Sequence, residues 1–450
     1  MAIQRVLIAN RGEIAVRIIR ACKRLGLETV QVVSDADRDS LPARMADRAF
    51  VIGPAAAAKS YLNIDALLMT ALALKADAVH PGYGFLSESA KFAAACAENG
   101  LTFIGPTADN IARMGNKIEA RKVAAEAGVP TLPGSHRIAS AEDAARIAAE
   151  TGLPVMLKAA AGGGGRGMKI VRDPATLKET FRQASAEAAA AFGDGSLYLE
   201  RFVADARHVE VQVLGDTHGN VVHLGERDCS SQRRHQKLVE EAPAPLIGDE
   251  LRRSLHKAAT DLAGAIGYVG AGTVEFLVDP ASGDFFFLEM NTRIQVEHPV
   301  SEMITGIDLV EEQFRVANGE KLAFSQEDIV FTGHAIECRV NAESPERDFH
   351  PAPGLITGWQ PPEGEGIRVD SHCFEGYRIP IFYDSMIAKL IVHGRDRADA
   401  IARMKAALAD FRIGGIETTI PFVTKIVENE DFTSGAVSTE LVGRIAAAGR

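Results

Sequence analysis

Residues 270–297, GAGTVEFLVDPASGDFFFLEMNTRIQVE, decide the reading of this chain. VEFLV, a turn rich in Asp, Pro, Ser and Gly, and then FFFLEMN predict a β-hairpin. Along the second arm Leu288, Met290, Thr292, Ile294 and Val296 share one parity. Glu289, Asn291, Arg293, Gln295 and Glu297 share the other. A turn centred near Ser282 places Glu275 opposite Glu289. Two carboxylates ~5 Å apart repel by about 3 kcal/mol at an effective dielectric near ~20. A divalent cation converts that repulsion into a site, and the all-oxygen set Glu275, Glu289, Asn291 suits Mg²⁺ or Mn²⁺. A half-exposed strand with a solvated polar face gives the same alternation. The polar row would span ~26 Å at ~3.3 Å per residue, so a break is expected near Arg293, with Pro299 keeping the exit non-helical.

A chain of 450 residues has room for two or three domains. A net charge of −11 argues against nucleic acid or an anionic membrane as the main partner. Cysteines 22, 96, 229, 338 and 373 show no CxxC spacing, which points to a reducing, cytoplasmic setting rather than a disulfide framework. MAIQRVLIANRGE lacks the pattern of a signal peptide, and no apolar run has the length of a membrane span.

Outward from the hairpin, residues 4–34 read strand, helix, strand, with Gly26 as the helix stop. Helix 64–75, strand ADAVH, helix 88–98 and strand LTFIG continue the alternation and predict a parallel α/β sheet. Its turns at 10–13 and 80–84 lie where open α/β sheets bind ligands; simple tight turns fit equally. Residues 109–134 predict a helical hairpin carrying Lys117. PVMLKAAAGGGGRGMKIV then reads strand, glycine loop, strand, with the next helix opening only at Asp173-Pro174. That order fits neither a dinucleotide fingerprint nor a P-loop. It predicts a mobile flap whose N–H groups close over phosphates, with Lys158 in an otherwise apolar strand. SLYLERFV is a further strand ending in Glu200-Arg201, and RHVEVQVLG puts His208, Glu210 and Gln212 on one face. Residues 226–241, ERDCSSQRRHQKLVEE, have the composition of a solvated charge run, but a cation cluster just ahead of the hairpin suits a small anion better. From about Ile329 the chain turns antiparallel, with Arg339 alternating among apolar neighbours.

The flap KAAAGGGGRGM, the loop ERDCSSQRRHQK and the hairpin EMNTRIQVEHPV together resemble the biotin carboxylase family of ATP-grasp enzymes. NRGEIA, HPGYGFLSE, GHAIECR and YDSMIAKL match the family pattern too, so the resemblance covers nearly the whole chain. It implies a mixed α/β and α+β fold: an N-terminal parallel α/β (pre-ATP-grasp) domain over 1–112, an ATP-grasp domain over 113–330 with a mobile glycine-rich lid at about 132–203, and a C-terminal antiparallel α+β domain over 331–446. It places ATP against Lys117, Lys158, Gly162, Gly163, Gly164, Gly165, Gly167, Glu200, His208 and His235. Metal, two ions of Mg²⁺ or Mn²⁺, falls to Glu275, Glu289 and Asn291. Bicarbonate falls to Lys237, Arg293, Gln295 and the backbone of Val296, with Glu297 as general base. Biotin falls to Arg339 and Tyr83; Glu297, Arg339, Arg293 and Lys237 form the catalytic set. Without an Ala-Met-Lys-Met segment, the chain is expected to act on biotin carried by a separate biotin carboxyl carrier protein. Separate carboxyltransferase subunits would pass the carboxyl to acetyl-CoA or another acyl-CoA. Another ATP-grasp ligase, activating a different carboxylate as an acyl phosphate, is the alternative. Three positions depart from the family pattern: Asn116 where Asp is common, Arg201 where Lys is common, and Arg24 where Glu is frequent. The last lies on a helix that some members use for dimerisation, so a homodimer stays open.

Overall fold

The computed structural model describes residues 2–135, 138, 140–160 and 168–448. The predicted phosphate loop, Gly162 to Gly165 and Gly167, lies outside the described residues. The N-terminal part alternates as its periodicity predicts: β1 (Arg5–Ile8), α1 (Gly12–Arg24), β2 (Glu28–Ser34), α2 (Leu41–Met45), β3 (Arg48–Gly53), α3 (Ile64–Ala73), β4 (Ala78–His80), α4 (Ala90–Glu98) and β5 (Thr102–Phe103). All pairs are parallel, in the order β3-β2-β1-β4-β5. Helix α1 buries Ile14, Ile18, Ile19 and Cys22 at helical spacing, and Gly26 past its end takes φ +70°. The strand order reverses between β1 and β4, so the turns at 10–13 and 80–84 flank one crevice. C-terminal side chains dock there. Arg11, held by Asp37 at 2.8 and 2.9 Å, lies 4.1 Å from the ring centroid of Tyr383, and Lys389 reaches Glu13.

Helices α5 (Ala108–Gly115) and α6 (Lys117–Glu126) form the predicted helical pair. Asn116 caps α6 by accepting from the N–H groups of Ile118 and Glu119, so the departure from Asp keeps the cap. Next come α7 (Ala141–Thr151), β6 (Val155–Ala159), β7 (Met168–Val171), α8 (Leu177–Phe192) and β8 (Leu197–Arg201). The strands form a separate antiparallel sheet, β7-β6-β8, whose Val155, Leu157, Val171 and Leu199 pack with Ala144, Ala148 and Leu177.

The body follows: β9 (Arg207–Gly215), β10 (Val221–Arg233), β11 (Gln236–Ala242), α9 (Asp249–Ala265), β12 (Gly270–Val278), β13 (Phe285–Asn291), α10 (His298–Thr305), α11 (Leu309–Ala317) and β14 (His334–Asn341). Short β15 (Glu343–Ser344) pairs with β16 (His350–Pro351). β17 (Gly358–Gln360), β18 (Ile367–Ser371), β19 (Met386–Gly394), α12 (Arg397–Asp410) and β20 (Arg412–Gly414) complete the strands, β17 pairing with β20. One eight-stranded antiparallel sheet runs β13-β12-β9-β10-β11-β14-β19-β18. It crosses position 330 without a break, because Val239 to Ala242 pair with Cys338 to Ala335.

The hairpin has the predicted register, Glu275 opposite Glu289, with a bulge that inserts Leu288 between this pair and Phe276–Phe287. The strand ends at Asn291, two residues ahead of Arg293. The expectation for Pro299 fails: it occupies the first turn of α10, where the missing N–H costs nothing. The supposed basic loop is a strand pair, β10 and β11, turning at Arg234 and His235, both at positive φ. Its polar residues Glu226 to Asp228 and Ser230 to Gln232 are buried. All five cysteines are buried and unpaired.

Candidate active site

A cleft of about 1910 Å³ lies between the β7-β6-β8 sheet and the large sheet. Every predicted site residue that the structure describes lines it: Tyr83, Lys117, Lys158, Glu200, His208, His235, Lys237, Glu275, Glu289, Asn291, Arg293, Gln295, Val296, Glu297 and Arg339.

Strand register builds the floor. Arg227, Glu210, Glu275 and Glu289 are successive cross-strand partners over β10, β9, β12 and β13, which sets three carboxylates in a row. Such neighbours destabilise one another unless cations intervene. Lys237 supplies one. Its Nζ lies 2.6 Å from Glu210 Oε2, 3.0 Å from Glu275 Oε1 and 2.6 Å from Glu297 Oε1, using all three ammonium donors. Fully buried Arg227 donates to Glu210 at 2.6 Å, and His208 Nε2 lies 3.0 Å from Glu275 Oε2. Burial pushes the Glu275 carboxyl upward, but Lys237 and His208 outweigh it and hold it below the usual range. For Glu297, Lys237, Arg339 and Arg227 likewise overcome burial and hold it well below. Glu289 behaves differently: burial and the Glu275 charge raise it, and its cation, Lys117, is 3.7 Å away.

Glu297 sits between two cations. Its Oε1 faces Lys237 and its Oε2 accepts from Arg339 at 2.9 Å. Arg339 also donates to Glu240 at 2.6 Å, and burial raises that acid to about 7. Arg293 donates to Glu88 at 3.0 Å, to Gln295 Oε1 at 2.7 Å and to Asn291 Oδ1 at 2.9 Å, which folds the segment after β13 round the cleft. Asn291 Nδ2 donates to Glu275 at 2.9 Å. Glu275, Glu289 and Asn291 therefore gather hard oxygen donors on one hairpin, and the mutual repulsion seen at Glu289 is what a divalent cation relieves.

At the other end stand Lys117, the first residue of α6, and Lys158 on β6. Lys158 lies 2.5 Å from Glu200, which also pairs with Arg121. Two cations thus engage the Glu200 carboxylate at the wall of the cleft. His235 is at the β10–β11 turn. Arg201 reaches Asp279 at 3.4 Å, and Arg24 pairs with Asp308 and Glu311 on α11's side of the same chain.

Sequence reasoning passed over Glu210, Arg227, Glu240, Arg121 and Glu88. Glu210 carried a signal, since it alternates with His208 and Gln212 in an apolar strand. Arg227 and Glu240 sat inside a segment read as a basic anion-binding loop, and only the sheet order brings them to Glu297.

Three family models together match most of the chain: "Biotin carboxylase, N-terminal domain" over 2–111, "Carbamoyl-phosphate synthase L chain, ATP binding domain" over 116–325, and "Biotin carboxylase C-terminal domain" over 337–444. A biotin carboxylase of Nostoc sp. is 54% identical over 443 residues, covering 98% of this chain and 99% of that protein. The chain belongs to the biotin carboxylase family. It is an enzyme of that class, an ATP-dependent carboxylase ligase with an ATP-grasp domain. One of the pyruvate carboxylase subunits of Methanothermobacter thermautotrophicus is 52% identical over 439 residues, covering 97% of this chain and 89% of that protein. Among solved structures, the biotin carboxylase–β,γ-ATP complex of Campylobacter jejuni superposes with a TM-score of 0.95 at 50% identity, covering 98% of this chain and 99% of that chain. The biotin carboxylase domain dimer of 2-oxoglutarate carboxylase from Hydrogenobacter thermophilus, with MgADP, ADP and bicarbonate, superposes at 0.94 and 49% identity, covering 99% and 98%. The biotin carboxylase fold of these neighbours is the architecture described above.

Proposed function

We propose that this chain carboxylates biotin borne on a separate carrier protein, using ATP and bicarbonate by way of carboxyphosphate. Residues 1–112, 113–330 and 331–446 divide the work as N-terminal, ATP-grasp and C-terminal domains. The observation that carries the reading is Glu297, a buried carboxylate bridging Lys237 and Arg339. One partner suits bicarbonate and the other suits the oxygen of the biotin ureido group.

Glu297 is ionised at neutral pH and is thus in the accepting form that a base needs. Lys237, Arg293 and Gln295 hold bicarbonate beside it. The cations that lower the Glu297 carboxyl also favour the doubly charged form of a bicarbonate among them, so the proton passes to Glu297. The freed oxygen attacks the γ-phosphorus of ATP, and ADP leaves. Lys117 and Lys158 hold the phosphates in line, which is most of what this transfer needs. Glu275, Glu289 and Asn291 would hold magnesium or manganese, as two ions, which would supply charge neutralisation on those phosphates. Carboxyphosphate splits to CO₂ and phosphate, the phosphate takes the N1 proton of biotin, and N1 attacks CO₂. Arg339 never loses its proton, so it steadies the negative charge on the ureido oxygen throughout. Acetyl-CoA or another acyl-CoA is the acceptor class proposed for separate carboxyltransferase subunits; relatives named for pyruvate and 2-oxoglutarate widen that class.

The test is ATP hydrolysis with Mg²⁺ and bicarbonate, with and without free biotin. Biotin stimulation with trapped carboxybiotin is the expected result. ATP turnover indifferent to biotin and to a biotinylated carrier domain would replace this reading with a ligase for another carboxylate.

A further inference from the structure

Three motifs without a catalytic role in the scheme above, NRGEIA, HPGYGFLSE and YDSMIAKL, meet the bicarbonate segment at one buried ammonium. Lys389, on β19, has no solvent exposure. Its Nζ donates to the carbonyl of Val296 at 2.8 Å and lies 3.1 Å from Glu13 Oε1 and 3.9 Å from Asp370 Oδ2. Glu13 Oε1 in turn accepts from the hydroxyl of Tyr83. The turn that presents Tyr83 is fixed from below. Gly82 and Gly84 take φ +62° and +68°, and Asn10 Nδ2 donates to the carbonyls of Pro81 and Tyr83, both at 2.7 Å. Lys389 is also the direct register partner of Arg339, which places the ammonium's strand beside the guanidinium's.

Each contact points to the reaction centre from a different part of the chain. The Val296 carbonyl belongs to the peptide that leads into Glu297, so Lys389 fixes the backbone of the base. Through Glu13 it fixes the hydroxyl end of Tyr83, whose ring lines the cleft near the biotin side. A buried ion pair adds little net stability over apolar packing of the same volume, so stability alone does not account for these polar groups sealed together.

We propose that Lys389 and Glu13 are positioning residues that hold the base-bearing segment and Tyr83 at a fixed separation, aligning the bicarbonate and biotin halves of the cleft. The inference rests on the carboxylase reading above.

The double variant Glu13→Gln/Lys389→Met removes both charges together and leaves Asp370 paired with Arg368. Its melting temperature should stay close to that of the parent, kcat/KM for free biotin should fall about tenfold or more, and KM for ATP should stay within about twofold. A folded double variant with kcat/KM for biotin within about twofold of the parent overturns the inference. If the double variant does not fold, Tyr83→Phe deletes only the hydroxyl given to Glu13; an unchanged kcat/KM for biotin then overturns it, and a fall of about fivefold supports it. Parent enzyme whose ATP turnover ignores biotin sinks the carboxylase reading, and the inference with it.

Discussion

Two half-buried lysines face the same cleft in opposite electrostatic settings. Lys237 touches three carboxylates, which overcome burial and raise its ammonium well above the ordinary lysine value. Lys158 touches one, Glu200, and shares it with Arg121. Burial, then Lys117 and Arg121, pulls the Lys158 ammonium down to about 8, with the Glu289 carboxylate working against them. One residue type therefore does two jobs. Lys237 is a fixed counter-charge that lets acids sit side by side, whereas Lys158 belongs to an excess of positive charge that a polyphosphate completes.

The largest effect should come from Lys237→Met, which strands Glu210, Glu275 and Glu297 with less counter-charge. We expect a loss of about 3–5 kcal/mol in denaturant unfolding at pH 8. The pH slope should reverse as well. In the parent, depressed Glu275 and Glu297 contribute stability above the unfolded carboxylate value that is lost as pH falls. In the variant these acids rise, so stability should fall as pH rises. Equal destabilisation by Lys158→Met would break the comparison. Glu297→Gln should next lower carboxybiotin formation by about 10²–10⁴-fold while ATP binding is retained, read by product trapping and nucleotide titration. Lys158→Met should leave folding intact and raise KM for ATP about tenfold, roughly 1.4 kcal/mol. The smallest effect sharpens the contrast. In the parent, kcat/KM for ATP should decline as pH rises through about 8, where free Lys158 loses its proton, and Lys158→Arg should flatten that decline.

The contrast was half legible beforehand. The parallel N-terminal sheet and the pairing of Glu275 with Glu289 rest on local periodicity and one short turn, and both were readable. Lys237 could be named as a site residue but not paired, because Glu210 and Glu297 reach it through sheet order rather than sequence spacing. ERDCSSQRRHQK misled for a related reason. Its Arg227, Asp228 and Gln232 face inward and meet partners there, so a buried polar strand carries the composition of a solvated loop. Pro299 misled because proline ends helices and also opens them, and only the caps around His298 distinguish the two.

The large sheet has a consequence for anyone who would take this enzyme apart. Glu241, ahead of position 330, accepts from His334 at 2.7 Å and from Arg397 at 2.7 and 3.0 Å, both beyond it. A chain severed at 330 would bare the β11 edge over Val239–Ala242 and strand that acid, inviting edge-to-edge association of the fragments. Swapping C-terminal parts between homologous carboxylases should therefore succeed only when β11 and β14 travel as a pair. The seam between the last two family models, between 325 and 337, is mechanically a weld.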